Sequence, residues 1–258
     1  MDRPAQGPTQ LRRFRQLVSR MSPSLIQFIF AWLVHLYTAL GAVIGFCTIL
    51  AIEQADFRAA FFLMAGAVVI DATDGTLARY ARVKEILPWF DGALLDEIVD
   101  YFNYVIVPCL FLARANLLPP QDALYLSALP LLASAYGFCQ RDAKTADYFF
   151  LGFPSYWNIV VFYFYALQTP LWVNAFTLIV LAILVFVPLR YIYPSRSPRF
   201  RKPTNILGAL WGALLIYLIY RLPDAPRALT GASLAYPIYY TALSLWLEIQ
   251  RLAVAKSD

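Results

Sequence analysis

The chain has 258 residues, of which 60% are hydrophobic and 16% aromatic, and its mean hydropathy is +0.59. Soluble domains are roughly 45 to 50% apolar, so this composition excludes an ordinary soluble enzyme and predicts a polytopic membrane protein. The formal net charge of +5 does not indicate a nucleic-acid partner, because Lys and Arg in membrane proteins collect in cytoplasmic loops.

A polar N-terminal tail is followed by a short basic segment. Residues 11–21 place apolar side chains at helical spacing and arginines on the opposite face. This pattern is typical of a helix lying on an anionic membrane surface, although a basic tail ahead of the first span explains it equally well. Pro23 then interrupts the chain. We therefore divide the sequence into residues 1–24, a tail with an amphipathic interfacial helix, and residues 25–258, a transmembrane domain.

The rest of the sequence is a series of long apolar segments. A spanning helix needs about 20 mostly apolar residues, and by this criterion the sequence predicts an all-α membrane bundle of about eight spans. The first predicted span starts at Leu25 or at Trp32 and ends at residue 52, and the others are residues 57–81, 89–113, 123–140, 156–168, 171–193, 204–220 and 229–252.

The distribution of basic residues predicts the orientation of these spans. With the N-terminus inside, 17 of the 21 basic residues lie on the inner side, and such an asymmetry is typical of cytoplasmic loops. The four on the outer side are Arg58, Arg114, Arg221 and Arg227.

Four aspartates interrupt the second and third predicted spans. Asp71 and Asp74 are three residues apart, and Asp96 and Asp100 are four apart, so each pair shares a helical face. The two helices run in opposite directions and join through residues 80–91, so both pairs can face one cleft near the cytoplasmic surface. Ionisable groups at membrane depth mark functional sites. Carboxylates together with substrate phosphates typically hold Mg²⁺, and two such metals can clamp a phosphoryl group.

Small residues and one arginine accompany the aspartates. Gly75 and Gly92 lack side chains and allow a ligand to approach the backbone, and Ala78 extends this small surface. Arg79 can pair with a phosphate as a planar fork. Each feature alone also fits a packing contact or an interfacial anchor, but their combination favours a binding site for a phosphorylated ligand.

These residues form the pattern D-x2-D-G-x2-A-R … G-x3-D-x3-D. The pattern resembles the signature of the CDP-alcohol phosphotransferase family. The gap between Arg79 and Gly92, residues 80–91, is longer than is usual in that family. The long gap, the stretch 147–158 and the number of spans resemble the bacterial phosphatidylcholine synthases, which join CDP-diacylglycerol to choline.

The resemblance implies a role for each residue of the motif. Asp71, Asp74 and Asp96 would ligate divalent metal, Mn²⁺ or Mg²⁺, as two ions. Asp100 would be the catalytic base that takes the proton of the acceptor hydroxyl, and it would also contact metal. CMP would be the leaving group. The residues that would bind the nucleotide are Asp71, Asp74, Gly75, Ala78, Arg79 and Gly92.

The resemblance also implies partners and a location. The partners would be CDP-diacylglycerol, choline and membrane lipids, and relatives of this kind are commonly homodimers. The protein would lie in a bacterial inner membrane, with both termini and the active site on the cytoplasmic side.

Choline recognition leaves a weaker pattern. A quaternary ammonium is held by aromatic faces, each worth about 0.5 to 2 kcal/mol, but Trp and Tyr also collect at membrane interfaces. His35 in the first span is either a packing residue or a nucleotide contact. The candidate choline contacts are Tyr101, Tyr104, Tyr148, Phe149, Tyr156, Trp157 and Glu97.

Two alternatives remain at this point. Another acceptor, namely serine, inositol or glycerol phosphate, would use the same chemistry, and Arg141 and Lys144 are candidates for binding a phosphorylated acceptor. A transporter would instead show paired repeats and broken helices in both halves. The sequence has one acidic cluster and no evident repeat, which disfavours a transporter.

Overall fold

The computed structural model of the chain describes residues 24–140, 149–192 and 200–254. The predicted amphipathic helix at 11–21 and the candidate choline contact Tyr148 lie outside these residues, as do Arg141 and Lys144. The described chain is mostly helical.

Two long antiparallel helices form the first part of the structure. Helix α1 spans Leu25–Glu53 and helix α2 spans Phe57–Tyr80. A capping box starts α1, in which the Ser24 hydroxyl accepts the Gln27 amide N–H and the Gln27 side chain accepts the Ser24 amide N–H. The Asp56 carboxylate caps α2 by accepting the Ala59 amide N–H. Because only a short turn joins them, α1 and α2 pack against each other.

The third predicted span is one continuous helix with an irregular middle. After the single turn α3 (Val83–Ile86), helix α4 spans Gly92–Tyr101, a π-helical turn spans Phe102–Ile106, and helix α5 spans Val107–Arg114. Turns of this kind often occur at functional sites. The one seen here begins two residues after Asp100.

The remaining elements follow the predicted spans with three differences. They are α6 (Ala123–Cys139), β1 (Phe149–Leu151), α7 (Trp157–Leu167), α8 (Leu171–Phe186), β2 (Arg190–Ile192), α9 (Arg201–Tyr220), α10 (Arg227–Ser233) and α11 (Ala235–Val254). The mostly helical chain fits the predicted all-α class, and the one element the prediction lacked is a short two-stranded antiparallel sheet of β1 and β2, in which Phe150 pairs with Tyr191.

The sixth and eighth predicted spans also differ from the observed helices. Helix α8 ends at Phe186 and not near residue 193, because Val187 is extended and precedes Pro188. A residue before proline is disfavoured in the helical region. The eighth predicted span is two helices, α10 and α11, which are separated at Leu234.

Several of the described helices suit a membrane. Helices α1, α2 and α9 are long and apolar enough to cross a bilayer, whereas α6, α7 and α8 are apolar but shorter. These helices support a helical membrane protein. The count of eight spans stays a prediction.

Two glycines of α1 let it approach α4 and the π-helical turn closely. A Cβ atom on Gly41 would lie 2.7 Å from Val99 Cγ1, and one on Gly45 would lie 2.6 Å from Asn103 Oδ1. Asn103 Nδ2 donates to the Gly41 and Val99 carbonyl oxygens, both at 3.0 Å. These contacts hold α4 and the π-helical turn against α1.

The main core lies between α2, α5 and α7. Phe61, Phe111, Phe162 and Tyr165 form an aromatic cluster in which the Phe61 and Phe111 ring centroids are 4.6 Å apart. This core anchors the first third of α2, and Asp71 and Asp74 follow further along the same helix.

Candidate active site

Three carboxylates from α2 and α4 converge. Asp71, Asp96 and Asp100 are partly buried, and each offers one oxygen atom such that all three oxygens lie within 4.8 Å of one another. Like charges about 4 Å apart repel by about 4 kcal/mol at an effective dielectric constant of 20. Hard divalent cations prefer oxygen ligands of this kind, so these three residues fit a cation such as Mn²⁺ or Mg²⁺.

The fourth predicted aspartate has a different environment. Asp74 is buried, with 6% of its surface exposed, and its Oδ2 accepts a hydrogen bond from Thr38 Oγ1 at 2.8 Å. It is not part of the three-carboxylate group. The structure therefore brings three of the four predicted ligands together, and a metal contact from Asp74 stays a prediction.

Tyr104 is hydrogen bonded to this carboxylate group. Its hydroxyl donates to Asp71 Oδ2 at 2.7 Å and also interacts electrostatically with Asp100 and Tyr156. Because Asp96, Asp100 and Tyr104 follow one another at intervals of four residues, all three project towards α2. Tyr104, predicted as a choline contact, thus has its hydroxyl engaged by a predicted metal ligand.

The small residues of α2 lie beside the arginine of the motif. Arg79 is exposed, and its Nη2 donates to Thr76 Oγ1 at 2.9 Å. The position of a Cβ atom on Gly75 would be 3.4 Å from Arg79 Nη1. Ala78 packs against the small apolar cluster that includes Val83. Gly75, Ala78 and Arg79 therefore form one partly open surface at the end of α2.

Gly92 faces a side chain of α1. A Cβ atom on Gly92 would lie 2.5 Å from His35 Cε1, so its missing side chain makes room for the imidazole. The His35 ring lies 4.3 Å from the Phe90 ring and 5.8 Å from the Trp32 ring, and the residue is only 6% exposed. Among the described residues, His35 Nε2 has no hydrogen-bond partner.

Two of the predicted choline contacts lie away from the carboxylates. The Tyr101 hydroxyl donates to the Leu131 carbonyl oxygen at 2.9 Å, and its ring meets Phe138 edge-on. Tyr101 follows Asp100 directly, so it projects from another side of the helix. Trp157 is completely buried, with its Nε1 donating to Ser134 Oγ at 2.8 Å.

The other described candidates lie nearer the sheet or on α4. Phe149 belongs to β1 and pairs with Ile192. Tyr156 precedes α7 and meets the Tyr240 ring at a centroid distance of 6.4 Å. Glu97 is partly buried on α4, one residue after Asp96. Of this set, Tyr156 interacts electrostatically with Tyr104, whose hydroxyl is hydrogen bonded to Asp71.

Polar residues of α1 support the motif in a way that the sequence analysis did not assign. Besides the bond from Thr38 to Asp74, the Tyr37 and Thr73 hydroxyls are hydrogen bonded at 2.8 Å. The available signal was the occurrence of His35, Tyr37 and Thr38 together within an apolar span. Their partners on α2 could not be identified without the relative register of the two helices.

Comparisons with known proteins reveal similarity to proteins named phosphatidylcholine synthase. The chain is 44% identical over 240 residues to the Legionella pneumophila protein of that name, covering 90% of this chain and 94% of the relative. It is 36% identical over 217 residues to the Pseudomonas aeruginosa protein, covering 84% and 91% respectively. Identity to the Borreliella burgdorferi protein is 35% over 221 residues, covering 85% and 94%. No protein-family model matches the chain.

Proposed function

The chain belongs to the phosphatidylcholine synthase family, and we propose that it transfers the phosphatidyl group of CDP-diacylglycerol to choline and releases CMP. The observation that carries this proposal is the convergence of Asp71, Asp96 and Asp100 within 4.8 Å of one another. Their acidic oxygens suit a reaction in which a charged pyrophosphate must be held and neutralised.

The three carboxylates would hold divalent metal, and we propose two ions, with Asp74 as a further ligand. When bound, the metal supplies charge neutralisation to the phosphate oxygens of the substrate. The Tyr104 hydroxyl donates to one oxygen of Asp71, and the Thr38 hydroxyl donates to one oxygen of Asp74. Such bonds orient carboxylate ligands before substrate arrives.

Asp100 acts as the base. One of its carboxylate oxygens accepts the proton of the choline hydroxyl, and the choline oxygen forms a bond to the phosphorus that carries diacylglycerol. The choline oxygen attacks opposite the CMP oxygen, and the bond from the phosphorus to the CMP oxygen breaks. Positioning of the two substrates does most of the catalytic work in reactions of this type.

The nucleotide and acceptor lie on opposite sides of the carboxylates in this proposal. Gly75, Ala78, Arg79 and Gly92 contact the cytidine diphosphate portion. The choline ammonium lies towards Tyr104 and Tyr156, where aromatic rings and nearby carboxylates attract a cation. The electrostatic interaction of Tyr156 with Tyr104 supports this arrangement.

The arrangement in the membrane is part of the proposal. Eight spans in residues 25–258, preceded by an interfacial segment at 1–24, would place both termini and the carboxylates on the cytoplasmic side of an inner membrane. The excess of basic residues on that side supports this orientation. A homodimer remains a prediction from the resemblance.

The proposal is tested by assaying purified protein in detergent micelles with CDP-diacylglycerol, Mn²⁺ and one acceptor at a time. We expect phosphatidylcholine and equimolar CMP with choline, and no lipid product with serine, inositol or glycerol phosphate. Asp100→Asn serves as the matched control and should give no product while still binding CMP. A lipid product with serine but not choline would reject the acceptor, and full turnover by Asp100→Asn would reject the base.

A further inference from the structure

His35 is the single histidine of the chain, and the reaction proposed above assigns it no role. It lies in α1 with 6% of its surface exposed. His35 Nε2 and Ser127 Oγ are the two buried side-chain polar atoms without a hydrogen-bond partner in the described part of the chain. Burial of an unpartnered polar atom destabilises a folded protein, so each such atom in a native structure requires an explanation.

The position of the imidazole is fixed by its surroundings. Its ring packs on Phe90 at 4.3 Å and meets the edge of Trp32 at 5.8 Å. The other side of the ring fills the space that a side chain on residue 92 would take, and Nε2 is 3.6 Å from that position. The ring is therefore held between α1 and the start of α4.

This position adjoins the residues assigned to the nucleotide. Thr38, which lies one turn further along α1 on the same face, donates to Asp74 on α2. Phe90, the ring against His35, belongs to the same apolar cluster as Ala78. His35 thus packs on Gly92 and Phe90, and Phe90 shares an apolar cluster with Ala78, so His35 adjoins two of the residues proposed to contact the nucleotide.

We propose that His35 Nε2 forms a hydrogen bond with the pyrimidine base of the cytidine nucleotide. The inference rests on the proposed function, since it requires a cytidine nucleotide at this site. In neutral imidazole one ring nitrogen donates and the other accepts. Cytosine offers an amino donor beside ring-nitrogen and carbonyl acceptors, so Nε2 has a partner on the base in either tautomer. The nucleotide then supplies the bond that Nε2 does not receive from the described residues.

The test is CMP binding to purified protein with Mn²⁺ by titration calorimetry. His35→Phe keeps a planar ring against Phe90 and removes the nitrogen, and we expect about tenfold weaker CMP binding. Thermal unfolding without ligand should be unchanged or shifted upwards, because an unpartnered buried nitrogen is removed. His35→Gln retains a hydrogen-bonding group and should recover part of the affinity. Ser127→Ala removes the other unpartnered atom, in α6, and should leave CMP affinity unchanged.

The outcomes separate this inference from the proposed function. Wild-type CMP affinity in His35→Phe would overturn the inference, as would His35→Gln binding no better than His35→Phe. If the wild-type protein makes phosphatidylcholine while His35→Phe binds CMP normally, only the role of His35 is rejected. If the wild-type protein makes no phosphatidylcholine from CDP-diacylglycerol and choline, the proposed function itself is rejected.

Discussion

The hydrogen bond from Tyr104 to Asp71 gives the sharpest prediction about how the carboxylate group is organised. Its length of 2.7 Å is typical of a short bond from a hydroxyl to a charged carboxylate. Hydrogen bonds to charged groups contribute about 1.5 to 3 kcal/mol, which corresponds to about 10- to 100-fold in an equilibrium constant. We therefore expect Tyr104→Phe to raise the Mn²⁺ concentration that gives half-maximal phosphatidylcholine synthesis by about that factor.

The assay is a Mn²⁺ titration of initial rates at saturating CDP-diacylglycerol and choline. The matched control is Tyr101→Phe, since the Tyr101 hydroxyl donates to a backbone carbonyl oxygen on α6. Its loss should lower stability by about 1 kcal/mol without shifting the Mn²⁺ titration.

The choline KM decides between two roles of Tyr104. Phenylalanine keeps the aromatic face, so removal of the hydroxyl should change the Mn²⁺ requirement and leave the choline KM near its wild-type value. An unchanged Mn²⁺ titration together with a raised choline KM would refute the positioning role of the hydroxyl.

Two further predictions concern α1. Thr38→Val removes the 2.8 Å bond to Asp74 Oδ2 at nearly constant volume, and it should weaken CMP binding in calorimetry by about tenfold; unchanged affinity would show that Asp74 needs no orientation by Thr38. Gly45→Ala places a Cβ atom 2.6 Å from Asn103 Oδ1, and the overpacking should destabilise the protein by about 1 to 3 kcal/mol in thermal unfolding. Gly212→Ala is the control, because a Cβ atom there meets nothing within 4 Å; equal losses in both glycine variants would contradict the close helix contact.

The sequence predicted the central feature of the site because helical spacing determines which side chains share a face. The four-residue spacing of Asp96 and Asp100, and their antiparallel relation to Asp71, were sufficient to predict one cleft. The resemblance to phosphatidylcholine synthases is confirmed by the similarity along most of the chain.

Other features of the site depend on contacts that single-helix patterns do not encode. The bond between Thr38 and Asp74 depends on the register of α1 against α2, which the short turn between them and the packing of both helices determine. Asn103, which lies in the π-helical turn, bonds to the Val99 and Gly41 carbonyl oxygens, and no local spacing indicates that turn. Trp157 is of a residue type that often lies at membrane interfaces. In the structure it is buried in the core, where Ser134 accepts its N–H.

The ends of the helices also divide into those that the local sequence predicts and those that depend on distant residues. Prediction placed both ends of α2 and the end of α1 within one residue of their observed positions, and of the two starts it allowed for α1, the helix begins at Leu25. It extended α8 through β2, because Leu189, Tyr191 and Ile192 continue the apolar sequence beyond Phe186. There the strand pairing with β1 comes from residues about 40 positions away in the chain.

Direct measurement of metal binding tests the central claim that Asp71, Asp96 and Asp100 form one cation site. Electron paramagnetic resonance can follow Mn²⁺ binding to the purified wild-type protein in the presence of CMP, and to the Asp71→Asn and Asp96→Asn variants. We predict that the wild-type protein binds Mn²⁺ and that each variant binds it at least tenfold more weakly. Equal Mn²⁺ binding by all three proteins would contradict a shared cation site.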